Sequence, residues 1–174
     1  LLDEPWMAGK KLILLEPRRI AARSIAAYMA RQLNEPVGGT VGYRVRLDTR
    51  VGPRTRIEVV TEGVLTRMLQ HDPALEDVGA VLFDEFHERS IHTDLGLALC
   101  LQAQALLLDD LRILVMWATL DAEAVARLLD GSPVIRSEGK VYPVETRYVP
   151  APANAGIEAA TAAGVMAALR QEEG

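Results

Sequence analysis

Short apolar runs alternate with helix-periodic segments along most of this chain, and that alternation limits the folds open to it. "KLILL" at 11–15, "TVGYRVR" at 40–46, "RIEVVT" at 56–61, "GAVLFDE" at 79–85 and "RILVMWAT" at 112–119 are strand candidates by length and β-branched content. Pro17 opens "PRRIAARSIAAYMARQL", in which Ala22, Ile25, Ala26, Met29 and Leu33 form an i, i+3, i+4 stripe. Proline suits the first turn, where a helix leaves its N–H donors unpaired anyway. "EGVLTRMLQ" predicts a short helix ending near Asp72-Pro73, "DLGLALCLQAQALLL" a strongly apolar helix, and "DAEAVARLLD" another, stopped by Gly131. "VGPR" at 51–54 reads as a turn. Further on, "VIR" at 134–136 and "VETRYV" at 144–149 are strand candidates, "PAPANAG" at 150–156 a linker, and 157–173 an Ala-rich helix. Strands separated by helices need crossovers, and crossovers give parallel pairs covered on both faces. The expected architecture is α/β, a largely parallel sheet with helices on both faces.

A length of 174 residues fits about one domain. The net charge of −5 supplies no global basic field, so phosphate binding has to come from local clusters. The single cysteine, Cys100, excludes an internal disulfide framework and fits a reducing compartment, so a cytoplasmic location is expected. Its Ala/Leu-rich surroundings mark it as a small buried hydrophobe. The apolar stretches fall short of a membrane span and no secretory signal is visible, so no membrane partner is expected. Leu1 and the helical "AALRQEEG" at the other end read as cut points.

The chemistry is concentrated in "VLFDEFHERSIHTD", residues 81–94. A His-Glu-x-x-His zinc site needs both imidazoles on one helical face. His87 and His92 stand at i, i+5, which separates them by roughly 140° around a helix axis, so a shared ion is disfavoured. The other reading starts from Asp84-Glu85 at the C-terminal end of an apolar strand, the end at which parallel sheets bind ligands. One carboxylate there can hold hydrated Mg²⁺, and its neighbour can orient and deprotonate a water. A solvated acidic strand end gives the same pattern, and the segment alone does not choose between them.

Asp84-Glu85-Phe86-His87 resembles motif II of the DEAD/DEAH-type helicases, and the following "ERSIHTD" is what the DEAH branch carries there. "EPRRIAAR" at 16–23 resembles motif Ia, "TEG" at 61–63 motif Ib and "ATLD" at 118–121 motif III, all in the family's order; "VGYRVR" at 41–46 resembles the segment between Ia and Ib. The resemblance covers essentially the whole chain. It implies a RecA-like fold and an ATP-dependent RNA helicase, with ATP and Mg²⁺ bound in the cleft between two RecA-like domains. By that resemblance Asp84 holds Mg²⁺ through water, Glu85 activates the hydrolytic water, and His87 couples the nucleotide site to motif III and the partner domain, with Thr119 keeping part of that link. Arg18 and Arg19, at a helix start where N–H groups favour phosphate, take an RNA or single-stranded backbone. Thr61 beside Gly63 does the same. Arg44 and Arg46 open a basic run continued by Arg50, Arg54 and Arg56, and alternate strand positions share a face. Such contacts carry no base information and weaken with salt. The resemblance assigns 1–140 to the first RecA-like domain and 141–174 to a connector and the first helix of the second domain of the same parent chain.

Two features depart from the family. No Gly-x-x-x-x-Gly-Lys-Ser/Thr occurs in the chain, so the phosphate cradle and its strand are expected before Leu1 and the chain alone is expected not to turn over ATP. Without that strand "RILVMWAT" presents an unpaired apolar edge, which predicts low solubility or a gap-closing rearrangement. The family's Ser-Ala-Thr reads Trp117-Ala118-Thr119 here; an indole replaces a hydroxyl, which predicts a crowded site and impaired coupling. These departures keep open a second reading, a non-catalytic nucleic-acid-binding or interaction module derived from a helicase domain.

Overall fold

The computed structural model describes residues 1–107, 110–118, 122–137, 139, 142–148 and 156–171. The chain divides into two compact units, Leu1–Gly131 and Ser132–Gly174. The first contains β1 (Lys11–Leu15), α1 (Arg19–Gln32), β2 (Val41–Val45), β3 (Asp48–Arg50), β4 (Ile57–Val60), α2 (Glu62–His71), β5 (Val78–Phe83), α3 (Ile91–Leu106), β6 (Arg112–Val115) and α4 (Ala122–Leu128). The sheet order is β3-β2-β4-β1-β5-β6, parallel except for the antiparallel β2/β3 hairpin. The expected α/β class and largely parallel sheet are therefore present.

Strand periodicity sorts the side chains of β1 onto two cores. Leu12 and Leu14 join a cluster with Ala22, Ala26 and Ala30 of α1, while Ile13 and Leu15 join one with Leu65 of α2 and Leu97 of α3. Helices thus cover both faces, and the central strands have no solvated side. This is why they read as continuous apolar runs. The contact line of α1 is not the one its large residues suggest. Ala22, Ala26 and Ala30 are fully buried, Ile25 and Met29 pack at the margin, and Leu33 is half exposed at the C-cap. Small side chains let the helix axis approach the sheet closely, so the buried line shifts to them.

Two strand candidates do not form. Residues 134–136 and 144–148 have no strand pairing and are exposed; Val149 lies outside the described residues. β-branched residues make a strand only where a neighbouring strand offers its ladder, and none pairs with them among the described residues. Conversely β3, the polar "DTR", is a strand because a tight hairpin at Arg46-Leu47 brings it against β2. That hairpin requires Gly42: a Cβ there would stand 2.4 Å from the Arg50 carbonyl oxygen. β6 is an edge, bonded to β5 alone among the described residues, with Leu114 47% exposed. Cys100 lies in the core, where burial pushes its thiol up to about 12, an inert state.

The second unit contains α5 (Ile157–Gln171) and an irregular segment in which Arg147 forks onto Glu145 at 2.8 and 2.9 Å. Residues 150–155 of the expected linker lie outside the described residues.

Candidate functional site

The C-terminal ends of β1, β2, β4, β5 and β6 lie along one edge of the sheet, and the candidate residues follow directly from those strand ends. At the end of β5, the Asp84 N–H donates to the Leu15 carbonyl at 3.0 Å, continuing the ladder by one residue. The chain then breaks from the strand. Glu85 is left-handed, with φ 51° and ψ 32°; a 3-10 turn runs over Phe86–Glu88, and Arg89 is left-handed again at φ 52°. Each such residue costs on the order of 1–2 kcal/mol without glycine. Packing offsets the cost. Phe86 is buried edge-on to Phe83, with centroids 6.4 Å apart at 86°, and its N–H reaches the Met116 carbonyl at 3.1 Å. The Arg89 guanidinium lies 5.7 Å from the Phe86 ring centroid and pairs with Asp94 at 3.0 Å.

Within this turn the Glu85 N–H donates to Asp84 Oδ1 at 2.9 Å, which fixes the first carboxylate against the backbone. His87 reaches two ways. Its Nδ1 accepts from the Ala118 N–H at 3.4 Å, and its Nε2 lies 3.2 Å from Glu85 Oε2. The imidazole therefore joins the end of β6 to Glu85. The donor on the β6 side is a backbone group, which any side chain at position 117 leaves in place. The Trp117 indole is partly buried and packs on the Phe83/Phe86 core cluster. Thr119, with Leu120 and Asp121 of the "ATLD" stretch, lies outside the described residues.

The end of β1 supplies a residue that lies within the "EPRRIAAR" stretch, where the resemblance assigns it no role. Glu16 is 3% exposed, and its Oε1 accepts the Arg18 N–H at 3.2 Å. Burial raises the pKa of this carboxyl; the Arg18 N–H opposes the rise, and the charges of Asp84, Glu85 and Glu88 add to it. Arg18, the N-cap of α1, forms an ion pair with Glu88 of the 3-10 turn. That bond and the Glu88 charge hold the guanidinium above its ordinary pKa.

The basic side of the edge is assembled from α1, the β2/β3 hairpin and α2. Arg19 Nη2 donates to the Arg46 carbonyl at 3.0 Å, which brings these two candidates together. Thr61 caps α2 by position but makes no side-chain cap bond, its N–H meets the Arg44 carbonyl at 3.4 Å, and Gly63 faces open space. Glu62 accepts from Thr93 at 2.6 Å, tying the start of α2 to α3. Arg44 has a structural partner: its Nε donates to Glu58 Oε2 at 2.5 Å, and Lys11 approaches the other oxygen at 3.4 Å. Glu58 is 2% exposed, so this pair satisfies a buried charge. Arg56 stands at the opposite edge of the sheet, where it donates to the Lys10 and Met7 carbonyls at 2.8 and 2.7 Å. Glu58 and Glu88 were not legible as site residues because their partners are distant in sequence, and Glu16 because its burial and its carboxylate neighbours come from other strands. The one local hint was an acid followed by proline at the end of β1.

No family model matches the chain. Among curated proteins it is 55% identical to the ATP-dependent RNA helicase HrpB of Escherichia coli K12 over 174 residues, all of this chain and 21% of that protein. It is 38% identical over 135 residues to the ATP-dependent RNA helicase HrpA homologue of Haemophilus influenzae, covering 78% of this chain and 10% of that one. Among solved structures, the crystal structure of Escherichia coli DEAH/RHA helicase HrpB superposes with a TM-score of 0.89 at 54% identity, over 99% of this chain and 22% of that chain. A second, of the Escherichia coli DExH-box NTPase HrpB, gives 0.74 at 55% identity over 95% and 20%. The chain therefore spans about a fifth of the length of HrpB. The motif order, the RecA-like sheet and this identity agree: the chain belongs to the DEAH-box helicases, as a homologue of a stretch of HrpB and HrpA.

Proposed function

We propose that this chain supplies the magnesium-and-water side of an ATPase centre, and a nucleic-acid backbone contact, to an ATP-dependent RNA helicase. The observation that carries the reading is the Glu85–His87–Ala118 bridge, which joins a catalytic carboxylate to the end of the neighbouring strand. Residues 1–140 serve as the first RecA-like domain, and 141–174 as the connector and first helix of the second. The working location is the cytoplasm; no described helix is long and apolar enough to cross a membrane.

The donor set fits a hydrated Mg²⁺. Asp84 offers a hard oxygen ligand held by the Glu85 N–H, and no group of three or more His, Cys, Asp or Glu that could hold a metal occurs among the described residues. Such a site suits an ion that keeps its waters and shares the phosphates. When bound, Mg²⁺ supplies charge neutralisation on the phosphates. Glu85 accepts the proton of the attacking water. His87, with Nε2 3.2 Å from that carboxylate and Nδ1 on the Ala118 N–H, orients Glu85 and registers its position at the end of β6. On the other side, the uncapped N-terminal turns of α1 and α2, with Arg18, Arg19 and Arg46, present N–H groups and guanidinium to phosphodiesters without reading bases.

Residues 1–174 contain no glycine-lysine phosphate loop, so this stretch by itself is inactive and catalysis belongs to the parent protein. In the parent, Glu85→Gln is expected to lower ATP hydrolysis by about 10²–10⁴-fold while Mg-nucleotide binding persists. An unchanged hydrolysis rate removes Glu85 from the chemistry. Steady phosphate release by purified 1–174, lost in Glu85→Gln, contradicts the assignment of catalysis to the parent alone.

A further inference from the structure

Arg18 stands between the two halves of the site. Its backbone N–H is held by buried Glu16 and its guanidinium by Glu88. Glu88 belongs to the turn that carries the catalytic machinery, since its own N–H donates to the Glu85 carbonyl at 2.9 Å, across His87. Arg18 remains mostly exposed while so engaged, and Glu85 and Glu16 add to the negative field around it. The guanidinium is thus the cation facing a carboxylate cluster, and it sits at the N-terminus of α1, where a phosphodiester seeks the same donor fork.

We propose that Glu88 and a nucleic-acid phosphate compete for the Arg18 guanidinium, which makes Glu88 the positioning residue through which backbone binding at α1 is transmitted to the turn bearing Glu85 and His87. This rests on the nucleic-acid reading of Arg18 given above. Without nucleic acid, Arg18 closes on Glu88 and braces the turn. A phosphate draws the guanidinium outward, leaves Glu88 without its counter-charge, and changes the restraint on Glu85. Two electrostatic partners of like sign cannot both be served equally by one exposed arginine, so occupancy of one weakens the other.

The test uses the intact parent helicase, with a labelled single-stranded RNA oligonucleotide read by fluorescence anisotropy and ATP hydrolysis measured with and without that RNA. Glu88→Gln is expected to bind RNA about two- to fivefold more tightly, the range an exposed ion pair supports, and to show a smaller ratio of RNA-stimulated to unstimulated hydrolysis. Glu88→Asp, which keeps the charge, is expected to stay near wild type. Arg18→Gln weakens binding, and adding Glu88→Gln to it produces no further change. Equal tightening by Glu88→Gln in the Arg18→Gln background overturns the proposal, since the effect is then a general loss of negative charge. Unchanged or weaker binding by Glu88→Gln alone overturns it too. A wild-type parent that does not bind the RNA overturns the nucleic-acid reading and this inference together, whereas wild-type binding with an inert Glu88→Gln removes the inference alone.

Discussion

Glu35 shows how a single side chain holds a loop whose sequence looks unremarkable. Its Oε2 accepts the Thr40 N–H at 2.7 Å, and that bond holds its carboxyl below the ordinary range. A depressed carboxyl pKa contributes stability above its unfolded value and loses it as the pH falls through the folded one. Glu35→Ala is therefore expected to lower the melting temperature near neutrality. The difference from wild type should shrink in acid below the usual carboxylate range, and a pH-independent difference contradicts the bond. Phe86 is a larger case. It fills the core beneath two left-handed residues, so Phe86→Ala is expected to cost about 3–5 kcal/mol in denaturant unfolding. Arg44→Ala strips a donor from buried Glu58 and is expected to cost about 1–3 kcal/mol. At this scale the sequence was partly legible. Asp84, Glu85 and His87 could be named because a linear motif holds them together. Glu58 and Glu88 could not, because Arg18 and Glu88 are 70 residues apart and Arg44 and Glu58 are 14; Glu16 could not, because the charges facing it come from Asp84, Glu85 and Glu88.

The elements were legible where local pattern and tertiary environment agree. β1, β4 and β5 are short apolar runs buried on both faces, and each was visible as such. α3 begins earlier than its apolar stretch indicates because Ser90 caps it, with Oγ accepting the His92 N–H at 3.1 Å; that cap lay inside the motif and went unread. β3 was missed because its residues are polar and only the hairpin makes it a strand. The segments at 134–136 and 144–148 have strand-like composition but pair with no strand among the described residues. Gly42→Ala is the test at this level. The added Cβ collides with the Arg50 carbonyl oxygen, so a loss of about 1–3 kcal/mol is expected, with the β2/β3 hairpin affected first in hydrogen exchange. Normal stability in that variant contradicts the packing described for the hairpin.

For the whole molecule, the sheet places carboxylates and guanidinium groups on the same edge of a chain whose net charge is −5. The proposed nucleic-acid contact therefore rests on a few local cations and is expected to weaken with salt. In the parent protein, Arg46→Ala is expected to reduce the slope of log affinity against log salt by about 0.7, the increment of one single-strand phosphate contact. An unchanged slope places Arg46 outside the interface. In the proposed reading this edge joins nucleotide chemistry to backbone binding. Its most direct test is ATP hydrolysis by the intact parent while single-stranded RNA is titrated at fixed salt. The rate is expected to rise and saturate with RNA and to be lost in Glu85→Gln; a hydrolysis rate indifferent to RNA at every concentration would mean that this edge does not join the two.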